Sequence, residues 1–214
     1  MKTKSDLLID NLRLNLRPVR TVKWSSIFAA HLLLFLILAT AWILFDGLRS
    51  DIHEQMTDPW FLTESGTLLI LVLTGFYLIS RWVIPGNDRV QKSSQLLTFS
   101  ALIIWISLIG FSFFGSGFHT SSFRETFGSG CVIGIAVITA LSTFFSFLFI
   151  RRAAPVKPAW TGFVSVSVSA AFGALLLHFT CTSSEPLHLL SSHLPPVVLA
   201  SAFGYFLGRT FLRW

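Results

Sequence analysis

Six predominantly apolar stretches, residues 26–45, 63–82, 96–114, 131–150, 159–179 and 194–212, constrain this chain more than any other feature. A helix of about 20 apolar residues crosses the ~30 Å hydrocarbon core of a bilayer. Within lipid, such a helix satisfies every backbone polar group internally. Composition agrees: 53% of residues are hydrophobic and only 12% charged, against roughly 25% charged in soluble domains. Six buried helices of a soluble protein would need long polar-faced helices around them, and the sequence supplies none. The expected fold is all-α: an integral membrane protein of six transmembrane helices with short loops and an amphipathic cytoplasmic N-terminal segment. The expected division is 1–25 for that segment and 26–214 for the six-helix transmembrane domain. The first stretch follows 25 polar residues and shows no small-residue cleavage pattern, so the segment is expected to stay attached.

Charge predicts the orientation. Residues 1–25, 81–95, 151–158 and the C-terminal end carry 14 of the 16 basic residues, leaving only Arg49 and Arg124 on the other side. The positive-inside rule then puts both termini in the cytoplasm. Trp24, Trp82 and Trp160 fall near the inner ends of the spans, and Trp42 and Trp60 near the outer ends, where indole prefers to sit. The net charge of +6 is thus read as topology, and no direct contact with nucleic acid is expected.

The N-terminal segment carries a second pattern. Leu8, Ile9, Leu12 and Leu16 share one stripe at helical spacing, and Arg13, Arg17 and Arg20 share another. Pro18 ends or kinks this helix. So short a helix is marginal alone in water, so the leucines need a partner: the inner leaflet with its lipid, the protein's own loops, or another protein.

The last three stretches place small residues at four-residue intervals: Gly130 and Gly134; Ser165, Ser169 and Gly173; Ala200, Gly204 and Gly208. Such positions let helices approach closely in lipid. The alternation in "SVSVSAA" resembles a strand, but its apolar surroundings make it helix. No intramembrane acid or Lys–Glu pair is expected, which counts against an ion or proton pathway. Phosphate-binding glycine loops, zinc-protease histidine pairs and nucleophile elbows are also missing from the sequence. His31, alone within the first span, is read as a hydrogen-bonded packing residue. No catalytic residue and no cofactor is expected.

The two cysteines are more specific. Cys131 opens the fourth stretch, and Cys181 closes the fifth after a run of similar length. At ~1.5 Å per residue, both thiols emerge level on the outer side, on helices joined by a short turn. They can form a disulfide or transiently bind a soft metal. His178 is a further candidate there, three residues before Cys181. A static staple or two packed thiols is the alternative.

The chain resembles the NrsF family of bacterial inner-membrane anti-sigma factors in "LRPV" (16–19), "LRSD" (48–51), "DPWF" (58–61), the cysteine opening span four, "APVKPAWTG" (154–162), the cysteine closing span five, and the terminal "LGRTFLRW" (207–214). The resemblance implies a six-span inner-membrane protein, not an enzyme. Its partner would be an extracytoplasmic-function sigma factor of the sigma-F type, released under oxidative or heavy-metal stress. It also implies Cys131 and Cys181 as sensing residues. Members often place a histidine directly before the second cysteine, where this chain has Thr180.

The reading is therefore a membrane-bound anti-sigma factor. Leu8, Ile9, Leu12, Leu16, Arg13 and Arg17 would bind the sigma factor, and Cys131, Cys181 and His178 would sense the stress. Alternatives are a small inner-membrane transporter or channel, and a membrane thiol oxidoreductase. The last is disfavoured by a single distant cysteine pair.

Overall fold

The structure, a computed structural model, describes residues 23–84, 88–115, 127–153, 155 and 157–213. The proposed sigma-binding residues Leu8, Ile9, Leu12, Arg13, Leu16 and Arg17 lie outside the described residues. The described chain is all-helical, with six helices long and apolar enough to span a membrane. They are α1 (Trp24–Asp46), α2 (Pro59–Trp82), α3 (Asp88–Gly115), α4 (Ser129–Arg151), α5 (Pro158–Thr180) and α6 (Pro186–Phe211). These cover the six apolar stretches. The largest offsets are at the starts of α3 and α6, which begin at Asp88 and Pro186 rather than near residues 96 and 194.

Local chemistry sets the boundaries. Gly47 ends α1 at φ +81°, a backbone region that glycine enters without strain, and its N–H bonds to the Ile43 carbonyl. Asp58 caps α2, its Oδ1 accepting from the Trp60 N–H at 3.0 Å, and Pro59 takes the first helical position. That gives "DPWF" a physical meaning as a helix start. Pro158 and Pro186 likewise take the first positions of α5 and α6, there without a side-chain cap. Inside the spans, many hydroxyls bond to their own helix one turn back, as Thr139 does to Ile135 and Ser201 to Val197. The serine-rich stretch of α5 is helical, as its surroundings require.

The bundle is built around α5. In its apolar window 83% of residues are buried, against 17% in α1 and 22% in α3. Helix α5 packs against α2, α4 and α6, while α3 packs mainly on α2. Exposed leucine, isoleucine and phenylalanine cover the outside: Leu36 and Phe45 on α1, Ile103 and Phe111 on α3, Phe144 on α4, Phe203 and Phe206 on α6. A face of that kind suits hydrocarbon rather than water.

Because lipid tails are as apolar as the side chains, burial alone does not drive helices together in a bilayer. Close packing at small residues does. Each face of α5 meets its neighbour at such a residue. Gly75 of α2 receives Val168, and Gly173 lies against the Ile135 backbone of α4. On α6, Gly204 and Gly208 meet Gly162, where the two backbones touch: a Cβ on Gly162 would overlap the Gly208 Cα and the Gly204 oxygen. Gly134 supports Leu177 and Trp42, whereas Gly130 has nothing within 4 Å of its would-be Cβ and takes no part in this packing.

Two of the buried polar side chains in the described helices bear directly on the sequence reading. His31 is fully buried; its Nδ1 bonds to the Ile27 carbonyl at 2.8 Å, and its ring lies between Phe76 and Phe149. This is the packing role expected for it. Glu64 corrects the expectation that the spans hold no acid, because it is only 2% exposed on the second turn of α2. It stands at the start of the 63–82 stretch, where the polar loop gives way to the span.

Gly208→Ala should destabilise the bundle, since its new Cβ meets backbone on Pro158 and Gly162 that cannot give way. The expected cost is about 1–3 kcal/mol, read as a lower thermal unfolding temperature in detergent. Gly66→Ala, with nothing within 4 Å, should leave that temperature unchanged or raise it.

Candidate functional site

The helix end that carries both cysteines gathers most of the chain's unusual polar residues. Cys131 stands in the first turn of α4, and Cys181 caps α5 in an extended conformation, φ −73° and ψ 133°. Their sulfurs are 3.0 Å apart, both half-buried, and both cysteines are free. The level placement expected from span lengths is thus what the fold produces.

Helix α6 brings two histidines to these thiols. His188 Nε2 lies 3.2 Å from Cys181 Sγ. His193 packs edge-on to His188, with ring centroids 5.4 Å apart. Both imidazoles are buried, at 5% and 2% exposure. Five residues of α-helix would place them about 140° apart around the axis, on different faces. Here Leu189–His193 forms a π turn, closed by a bond from the Leu194 N–H to the Leu189 carbonyl, and the wider turn brings both rings to one side. The sequence supplies a reason for that turn. Pro195 and Pro196 have no N–H to donate, and in a regular α-helix their rings would clash with carbonyls one turn back.

Gly128 completes the enclosure. Its N–H donates to Ser192 Oγ at 2.9 Å, and a Cβ there would lie 2.5 Å from His188 Cε1. The hydrogen bond from the Cys131 thiol is the largest influence on Cys181 and lowers its pKa. Burial opposes that shift, while the neighbouring imidazoles of His188 and His193 reinforce it. Cys181 is the thiol that more readily becomes a thiolate.

His178 lies elsewhere. The helical spacing that would set it beside Cys181 ends at Thr180, where the chain leaves the helix. His178 instead stacks on Phe61, with centroids 4.4 Å apart and planes at 11°. Its Nε2 is 3.6 Å from Glu64 Oε2, and Glu64 Oε1 accepts from Trp60 Nε1 at 3.1 Å.

A clamp closes over this layer. Arg49, 4% exposed, pairs with Asp51 through Nε and Nη2, at 2.6 and 2.8 Å. It also donates to Ser184 Oγ at 2.8 Å and to the Thr182 carbonyl at 3.3 Å. Its own N–H bonds to the Phe179 carbonyl, and its guanidinium lies 5.9 Å from the Phe61 ring centre. The first loop is thereby pinned to the residues on either side of Cys181. Two arginine bonds to one carboxylate form the bidentate pair that resists solvent best, and the Arg49 bond holds Asp51 below the ordinary carboxylate range. "LRSD" and "DPWF" are thus two parts of one lid.

Residues 12–214 match the family model NrsF, negative regulator of sigma F. The chain belongs to the NrsF family. Membership makes a sigma factor the partner class and negative regulation the role. No curated protein and no solved structure is significantly similar to the chain. Within this NrsF protein, Arg49, Glu64, His188 and His193 are the polar residues that sequence reasoning missed. Arg49 stands inside a motif already singled out, so a signal existed. His188 and His193 had none at α-helical spacing.

Removing the clamp should uncover the thiols. Arg49→Ala frees the loop from Thr182 and Ser184, so Cys181 should react several-fold faster with a bulky maleimide in detergent. An unchanged rate would mean that the loop does not gate access.

Proposed function

We propose that this NrsF protein is an inner-membrane anti-sigma factor. It would hold an extracytoplasmic-function sigma factor of the sigma-F type through its cytoplasmic N-terminal segment and release it when Cys131 and Cys181 react. It acts by binding rather than by catalysis. The observation that carries the reading is the 3.0 Å approach of two free thiols on adjacent helices, one of them at the end of the central helix α5. A change at these thiols acts on the helix against which α2, α4 and α6 all pack.

Two chemistries fit the pair. A two-electron oxidant such as a hydroperoxide would take the thiolate electrons, leaving a disulfide as the peroxide is reduced to water and an alcohol. A soft metal ion would instead be held between the sulfurs. Either one shifts α4 against α5. To turn a 1:99 mixture of releasing and holding states into 99:1, the signal must favour release by about 5.5 kcal/mol. On the other side, Leu8, Ile9, Leu12 and Leu16 would bury against the sigma factor, while Arg13 and Arg17 face its acidic groups. The cytoplasmic termini rest on the distribution of basic residues, and the inner-membrane location on the likeness to the NrsF family.

Three measurements test this. Reporter fusions at residue 88 and at the C-terminus should report cytoplasm, and fusions near residues 55 and 120 the opposite side. An outward C-terminus would overturn the orientation. Leu12→Asp should weaken sigma-factor co-purification more than about tenfold, since burying one leucine is worth roughly 1.5–3 kcal/mol. Undiminished capture would remove the stripe from the interface. Cys131→Ser and Cys181→Ser should each abolish induction of sigma-dependent transcription by oxidant or cadmium, with the double variant no worse than either. Full induction in both single variants would leave the thiols a structural role only.

A further inference from the structure

We propose that Cys131, Cys181, His188 and His193 form a four-ligand site for a divalent cation of the zinc type. The donor atoms of these four residues all lie within 4.8 Å of one another. Tetrahedral zinc, with bonds of about 2.3 Å to sulfur and 2.0–2.1 Å to nitrogen, spaces its donors about 3.3–3.8 Å apart. The two sulfurs at 3.0 Å and the Cys181–His188 pair at 3.2 Å are within an ångström of that spacing. Rotamer adjustments are enough to admit the ion.

The chemistry of the donor set agrees. Two thiolates and two neutral imidazoles cancel the charge of a divalent cation, so the loaded site is neutral at the end of an apolar bundle. On binding, the two thiols give up their protons to solvent as the sulfur–metal bonds form. Sulfur with imidazole in four-fold coordination selects zinc or its soft congener cadmium over magnesium or calcium, which take oxygen ligands.

An independent observation also points to a ligand. His193 is 2% exposed, and among the described residues its Nε2 has no hydrogen-bond partner. A buried ring nitrogen left unsatisfied is costly, and coordination would satisfy it. The π turn that sets His188 and His193 on one side is the kind of local irregularity that helices retain at functional sites.

The site joins three helices, where the thiol pair joins two. Its cation would tie the start of α6 to the ends of α4 and α5, next to the lid formed by Arg49. That this cation is the signal for release rests on the sensing role proposed above for the thiols. The binding site itself stands on its geometry.

The experiment uses the full chain, purified in detergent, reduced and stripped with a chelator. It is titrated with cobalt(II) as the spectroscopic probe and then with zinc and cadmium. One cobalt per chain is expected, with the visible bands of a tetrahedral ion and thiolate-to-metal charge transfer in the near ultraviolet, and zinc should displace it. His188→Ala and His193→Ala should each weaken zinc binding by more than about tenfold, while His178→Gln should bind as the parent does. His193→Cys keeps four ligands and guards against loss by misfolding. It should bind cobalt with charge-transfer intensity raised by roughly half, as three thiolates replace two. Octahedral cobalt, parent affinity in both histidine-to-alanine variants, or no binding in either the parent or His193→Cys would overturn the site. Sigma-factor capture is measured on the same preparations. Lost capture with intact cobalt binding counts against the anti-sigma reading alone, and the reverse counts against the site alone.

Discussion

Everything in this bundle depends on how closely other helices can approach α5. In water, a central helix is held by the release of water from apolar surface. In lipid that force is absent between helices, and what remains is contact. Gly162 and Gly208 give α5 and α6 backbone contact, Gly173 does the same toward Ile135 of α4, and Gly75 opens α2 to Val168. These contacts fix both the rotation and the height of α5. They therefore fix where Cys181 comes out beside Cys131, and where Phe179 and Thr182 present the carbonyls that Arg49 grips.

The polar end is arranged in two layers. In α2 and α5, the buried Glu64, His178 and Phe61, with half-buried Trp60, form a polar and aromatic layer. Beside it, the cysteines meet the histidines of α6. Arg49 bridges the two: it lies near Phe61 of the first and bonds to residues just beyond Cys181 in the second. A charged side chain this deeply buried persists only with its hydrogen bonds satisfied, so the lid is closed by chemistry rather than by size. The loop of only 12 residues between α1 and α2 carries the structure that encloses the thiols.

Much of this was legible in the sequence, because the bilayer sets helix length and helix length sets depth. The six spans, the common level of Cys131 and Cys181, and the use of Gly204 and Gly208 follow from apolar length and small-residue spacing. The misses have equally physical causes. Gly162 escaped because it lies outside the repeats counted on its own helix, although its partners on α6 were counted. Glu64 was overlooked because it stands at the very start of the 63–82 stretch, six residues after the acid that caps α2, where polar loop gives way to apolar span. His178 was placed beside Cys181 by a periodicity that stops at Thr180. His188 and His193 share a face only because the helix changes its pitch between them, which no regular spacing reveals.

That change of pitch reaches beyond the two rings. A π turn holds one residue more than the α turn it replaces. Were it ironed out, everything beyond it would slip about 1.5 Å along the axis and swing about 100° around it. With His188 kept at the thiols, Gly204 and Gly208 would then turn away from α5, and the bulkier side chains beside them would meet Gly162. The single widened turn is thus the phase setting of α6, matching a polar end to a glycine face some ten residues farther on. The two ends of the helix are out of step in sequence and brought into step by this one irregular turn.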